Sequence, residues 1–203
     1  MPRIRRRREN AADLRSRGPS AAAEPISART MNKPMSDLFR LHTDIDARAQ
    51  GIRENRPDWL CGKGCDGCCR RLADVPRLSA AEWALLREGL AALSPERLAE
   101  IRAAMRTMAV AAAEGACALV CPLLDHASGA CPVYAQRPVA CRTYGFYVQR
   151  DLGLYCRDIE ARVENGALAD VVWGNHDAID RRLAALGEVR PLSEWFARWE
   201  GGA

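Results

Sequence analysis

Apolar residues along this chain recur mostly three and four positions apart, the spacing of one helix face. Behind Ser36 as a cap, Leu38, Leu41, Ile45 and Ile52 share such a face, and Pro57 stops the helix. Ser79-Ala-Ala-Glu82 has the form of a capping box, and the helix after it is expected to bury Trp83, Leu86 and Leu90. Ser94-Pro95 sets a cap before a first-turn proline. The stripe Leu98, Ile101, Met105 and Met108 follows as core, and Gly115 ends that helix. Further helices are expected over Ile159 to Val163, Leu168 to Trp173, Ala178 to Leu186 and, capped, Ser193 to Trp199. Two stretches carry no such period. Residues 61–71 are rich in Gly and Cys, and residues 117–157 are broken by Cys, Pro and Gly around a β-prone piece, Tyr144 to Val148. Strand does not alternate with helix, and no repeat is present. The expected fold class is therefore mainly α, a small helical domain whose two irregular Cys-rich loop segments converge on a metal site.

Length and charge refine this picture. A chain of 203 residues fits one domain with a tail, and 6% aromatics with three Phe cannot anchor a large β-sandwich core. Its apolar runs, such as Met108 to Ala113, are too short to cross a bilayer, and no apolar segment of a secretory signal follows the basic start. No membrane association is expected, and the expected location is cytoplasmic. The net charge of +4 is concentrated at the start, where eight arginines within residues 1–29 (Arg3, Arg5 to Arg8, Arg15, Arg17 and Arg29) oppose Glu9, Asp13 and Glu24. The remainder is near neutral, so nucleic acid is not an expected partner except through this basic tail. Residues 1–34 are expected to form a basic extension, either disordered or a dispensable mis-called stretch ahead of a true start at Met31 or Met35, and residues 35–203 the single metal-binding domain with C-terminal helices. Arginine heavily outnumbers lysine, a bias expected of GC-rich bacterial coding.

Nine cysteines, clustered in a chain without an export signal, point to metal or redox chemistry. In Cys61-Gly-Lys-Gly-Cys65-Asp-Gly-Cys68-Cys69, thiolates a few residues apart on a Gly-rich turn can converge on a soft metal. The adjacent Cys68 and Cys69 are expected to diverge, which favours two sites or a polynuclear cluster over one ion. The later group is Cys121, Cys131 and Cys141, with Cys117 before it and Cys156 after, and both Cys121 and Cys131 precede proline. Setting aside Cys117 leaves eight, the number that two four-thiolate sites require. Arg70, Arg71, Arg137, Arg142 and Arg157 stand beside these cysteines and are expected to offset thiolate charge.

These motifs, together with Cys121-Pro-Leu-Leu-Asp125, Cys131-Pro-Val-Tyr134 and Arg137-Pro138-Val-Ala-Cys141-Arg142, resemble the YkgJ-type cysteine-cluster proteins. Their CxxCxxCC domain is described as zinc- or iron-chelating, and the resemblance runs from Trp59 to Cys156. It implies metal binding through Cys61, Cys65, Cys68, Cys69, Cys121, Cys131 and Cys141, extends to Cys156, and offers nothing for Cys117. The family pattern has two residues between its first cysteines where this chain has three, so Cys61 sits one position off it. Members are commonly labelled iron–sulfur oxidoreductases, and a flagellin lysine methylase is similar.

Thiolate-only ligation suits both metals. Only one side of the cysteine set resembles a zinc knuckle, so an iron–sulfur cluster is the preferred reading and zinc the alternative. Three functions are weighed: an iron–sulfur protein with an oxidoreductase or electron-transfer role, a zinc-stapled interaction module without catalysis, and an S-adenosylmethionine-dependent modifying enzyme. The redox or protein partner is unknown, and no catalytic residue is identified. The string Cys61-x3-Cys65-x2-Cys68 also matches a radical-SAM signature, but the strand–helix repeats of its barrel are missing. Gly174-Asn175-His176-Asp177 is read as a helix start capped by Asn175, and His42 and His126 as structural or solvated.

Overall fold

The computed structural model describes residues 33–149, 153–154 and 156–201. The tail expected over 1–34 thus lies outside the described residues as far as residue 32. Its last two positions already belong to α1 (Lys33–Glu54), which begins ahead of Ser36. Pro34 stands in the first turn, where a missing N–H leaves no hydrogen bond unmade, so Ser36 falls inside the helix and does not cap it.

Described residues are 55% helical with only short strands, which makes the fold mainly α. After α1 come α2 (Gly67–Arg70), β1 (Arg77–Ser79), α3 (Ala80–Ala91) and α4 (Pro95–Ala113). A 3-10 turn (Tyr134–Gln136) leads to α5 (Val139–Thr143), β2 (Tyr147–Gln149), β3 (Gly153–Leu154) and α6 (Arg157–Glu164). The chain ends with β4 (Gly174–Asn175), α7 (His176–Ala184), β5 (Val189–Pro191) and α8 (Leu192–Glu200). Among the described residues no helix is long and apolar enough to cross a membrane.

The caps fall where the residue chemistry puts them. Ser79 Oγ accepts from Glu82 N while Glu82 returns a bond to Ser79 N, a complete capping box for α3. Ser94 caps α4 ahead of Pro95, and Gly115, at φ 74°, follows its end. Asn175 accepts from Ala178 N and caps α7. Two expectations need correction. Leu168 to Trp173 is not a helix but turns and then runs extended into β4. Val172 is 75% exposed there, so the apolar run has no continuous face to bury, and Trp173 instead packs on Trp59 with ring centroids 5.7 Å apart. α8 starts at Leu192 with Ser193 inside its first turn, because β5 ends at Pro191 and Leu192 N donates at once to Pro76 O (2.8 Å).

Two packed clusters carry the cysteine segments. In the first, Ile101, Met105 and Met108 of α4 meet Trp83 and Leu86 of α3 and Phe196 of α8. Trp83 stacks on Trp195 (6.1 Å, 8°), and Trp195 Nε1 donates to Leu78 O (2.9 Å), across the antiparallel pair β1–β5. The second cluster joins Leu38, Leu41 and Ile45 of α1 to Val139, Phe146 and Tyr147. There β2 pairs antiparallel with β3 and parallel with β4. Cys121 and Cys131 pack on the first cluster and Cys61 on the second, so both cores border the thiols.

Candidate metal centre

All nine cysteines are described, and none is in a disulfide. The segment expected to be all loop contains α2, one short helical turn that carries Cys68 and Cys69. Their sulfurs lie 4.0 Å apart, so the adjacent pair diverges less than expected. Next, Leu72 and Leu119 exchange backbone hydrogen bonds (2.8 and 2.9 Å), and Cys121 N donates to Cys69 O at 2.7 Å. These three bonds join the two irregular stretches. Cys131 emerges from a tight turn closed by Asp125 N to Ala130 O (2.9 Å). Cys141 rides on α5, whose first N–H, that of Val139, donates to Glu82 Oε1 at 2.8 Å.

The remaining thiols come from either side. Cys61 Sγ donates to Tyr144 O (3.3 Å), and its own carbonyl accepts from Arg53 Nε (3.3 Å). Gly145 follows at φ 80°, and a β-carbon there would lie 3.1 Å from that of Cys61. Cys156 is the N-cap residue of α6 and shares a small apolar cluster with Cys61. Cys65 is exposed on the turn closed by its own N–H to Gly62 O (3.1 Å).

Electrostatics divides these thiols into two neighbourhoods. Burial, followed by repulsion from Cys65, Cys68 and Cys156, pushes the Cys61 thiol up to about 12. Cys156 is likewise raised by burial, with Cys65 adding to it. On the other side, the hydrogen bond to Cys121 is the first cause that pushes Cys69 up to about 12, with burial and Cys131 contributing. Burial and then Cys69, Cys68 and Cys131 raise Cys141 well above the ordinary thiol range. Cys68 is itself raised, first by its hydrogen bond with Cys69, and it is felt by both neighbourhoods. None of these interactions involves Cys117, which is exposed.

The donor set fits a soft, thiophilic cation. Several part-buried thiols that repel each other as thiolates gain a common counter-charge when such an ion binds, and the shift reverses. Among the described residues no three His, Cys, Asp or Glu side chains are drawn into metal-ligand geometry. What the fold provides is thiol-to-thiol proximity.

The arginines are arranged differently from the sequence expectation. Arg70 is paired with Asp66 (2.6 Å) and Arg142 with Asp46 (2.7 Å), while Arg71 and Arg157 appear in none of the thiol interactions. Of the five, only Arg137 lowers thiols, namely Cys131 and Cys141. Two arginines that sequence reasoning missed act beside it, Arg97 of α4 on Cys131 and Arg53 of α1 on Cys61. Both are helical residues remote from any cysteine motif, so neighbourhood in the chain gave no signal. Glu82 was recognised as a cap, but its bond to Val139 was not.

The helical scaffold thus presents thiols from the 61–69 run and from the neighbourhoods of residues 121, 131, 141 and 156. The CxxCxxCC family, whose domain is described as zinc- or iron-chelating, matches residues 60–164, just over half of the chain, and the chain belongs to that family. No curated protein and no solved structure matches it.

Proposed function

We propose that this protein binds metal through eight cysteines in two sets of four, Cys61, Cys65, Cys68 and Cys156 in one and Cys69, Cys121, Cys131 and Cys141 in the other. The metal is iron, held as iron–sulfur, and the role is electron transfer or an oxidoreductase step in the cytoplasm with a redox or protein partner. The observation that carries the reading is the junction at Cys69, whose carbonyl accepts from Cys121 N at 2.7 Å and so brings the two cysteine stretches together. All-thiol donors in irregular, part-buried backbone support iron–sulfur, as does the proline that follows Cys121 and Cys131. When bound, such a cluster supplies one-electron transfer. Around it the chain's residues exclude water on the apolar side and present Arg53, Arg97 and Arg137 to thiolate charge.

Anaerobic purification with metal and sulfide analysis tests this. Stoichiometric iron with acid-labile sulfide, and visible absorption that a reductant bleaches, are expected. Zinc without sulfide would overturn the iron–sulfur reading in favour of a zinc-stapled interaction module in the same thiols. Cys68→Ser and Cys69→Ser, made separately, are each expected to lower metal content, and two unchanged variants would end the ligand assignment.

A further inference from the structure

A cleft of about 730 Å3 lies between α1 and the stretch 134–142, and three arginines line it: Arg53, Arg137 and Arg142. They are not equivalent. Arg142 is consumed by the fold, with Nε on Arg137 O (3.0 Å) and one terminal nitrogen on the cleft's acid, Asp46 (2.7 Å), while the other reaches Ala135 O. The Arg137 guanidinium carbon sits over the Tyr134 ring, 3.4 Å from its centroid, and of its side-chain nitrogens only Nε is engaged, on Tyr134 O (2.9 Å). Arg53 is fixed in the same manner, over Phe146 at 4.7 Å, with Nε on Cys61 O. Among the described residues, neither Arg53 nor Arg137 has a hydrogen bond from its terminal nitrogens. Lys63 adds a third cation at this end, its ammonium 5.7 Å from the Tyr134 ring centroid.

Arginines that only staple a fold direct all their donors at backbone and carboxylates, as Arg142 does. A guanidinium group held by a ring and one Nε bond, with its paired terminal N–H groups still free, is a pre-organised donor for an oxyanion, and two such groups line this cleft. Because the side chains are already ordered, little conformational freedom remains to be lost on binding.

We propose that this cleft binds a small molecule through an oxyanion, a carboxylate or a phosphate group, held by Arg137 and Arg53 and steered by Lys63. The bound anion would stand against the thiol cluster, since Arg53 holds the Cys61 carbonyl and Lys63 lies within the first cysteine run. The site uses no thiol, but Arg53 and Arg137 also face thiolate charge, so metal content is read alongside anion binding.

Calorimetric titration of the full chain, with its metal content measured in parallel, tests this with inorganic phosphate and succinate as probes. Saturable binding of at least one probe at low ionic strength is expected, and the tighter of the two assigns the phosphate or carboxylate source. Arg137→Gln is expected to weaken it about tenfold or more, the scale of one lost charge-assisted hydrogen-bond pair. Arg182→Gln, which removes an exposed partner of Asp44 away from the cleft, is expected to leave it unchanged. If Arg137→Gln loses its circular dichroism or its metal, Arg53→Gln and Lys63→Ala carry the same expectation. The proposal is overturned if neither probe saturates, if sodium chloride of equal ionic strength reproduces the response, or if the cleft variants bind as well as the parent chain. Lys63 is not among the residues set against thiolate charge, so Lys63→Ala with its metal content intact separates this failure from that of the thiol assignment.

Discussion

The helical framework and the cysteine-bearing segments are held by different physics. In the framework, α3, α4 and α8 bury continuous apolar faces, with Phe196, Ile101, Leu86 and Leu90 each no more than 1% exposed. Such packing is distributed over many contacts and tolerates the loss of one. The cysteine segments are built from α2 and α5, four and five residues long, too short to persist by themselves. Their positions rest on a few hydrogen bonds, the Leu72–Leu119 pair, Cys121 to Cys69 and Val139 to Glu82, and on isolated apolar anchors such as Leu119, Val133 and Val139. A centre built that way depends on whatever ties its thiols together. Stripping the bound metal should therefore have the largest effect and an uneven one. Hydrogen exchange is expected to rise by orders of magnitude through residues 61–72 and 117–149 while α3, α4 and α8 stay protected. Equal loss of protection in both regions would break the distinction.

Among the described residues, Glu82 is the one buried acid, and it belongs to both regions. Its carboxylate accepts from Ser79 N, Ser79 Oγ and Val139 N, each at 2.8 Å, and so ties the start of α3 to the helix that carries Cys141. Removing it strands three buried donors, at about 1 kcal/mol or more each. Glu82→Ala is expected to lower the unfolding free energy by about 3 kcal/mol in urea denaturation. It should reduce metal content as well, whereas Glu82→Gln, which keeps one accepting oxygen, should retain more of both. A stability loss with metal content intact would show that Cys141 does not need this anchor.

His42 offers a comparable effect that depends on pH. Burial, followed by the Arg142 guanidinium, holds its imidazole down at about 4, and its Nε2 is buried with no hydrogen-bond partner among the described residues. The fold thus keeps a neutral ring, whereas the unfolded chain takes a proton near the ordinary value of about 6.5. This contribution is complete above about 6.5 and is lost as the pH falls toward 4, on the order of 3 kcal/mol across that window. Glu82 runs the other way, because burial raises its carboxyl and favours the fold as the pH falls. Comparing the parent chain with His42→Leu isolates the histidine term. The variant should show a flatter stability profile between pH 6.5 and 4, and parallel profiles would refute the assignment.

Legibility follows the same division. Wherever one helix face meets the core the chain announces it: Leu38, Leu41 and Ile45 are all buried, and the Ser79, Ser94 and Asn175 caps form as their residue types require. The misreadings fall where tertiary contacts outweigh local signals. Val171 and Val172 look helical, yet the partner that organises this stretch is Trp59 on Trp173, which local periodicity cannot reveal. The cysteines themselves are legible as a cluster, but not their division into neighbourhoods. That division rests on Cys121 N donating to Cys69 O beside the Leu72–Leu119 bridge, and on α5 hanging from a glutamate 57 positions away. Nor could the chain disclose Arg53 and Arg97, which reach the thiols only because α1 and α4 pack beside them.

Gly145 gives the smallest of these effects and the sharpest resolution within the centre. At φ 80° any other residue adopts a left-handed conformation costing about 1–2 kcal/mol. Its added β-carbon would also stand 3.0 Å from Ile159 Cδ1 and 3.3 Å from Cys61 Sγ. Neither neighbour yields freely, since Ile159 is 1% exposed and Cys61 is hydrogen-bonded to Tyr144 O. Gly145→Ala should therefore displace Cys61, whose atoms are among the nearest to the added carbon, ahead of Cys69, Cys121, Cys131 and Cys141. If the thiols work as two sets of four, metal analysis of this variant should show loss from the Cys61 set alone, leaving about half the metal. If all metal leaves together, the eight thiols serve one shared cluster, and Cys68, felt on both sides, is the residue through which the sets are joined.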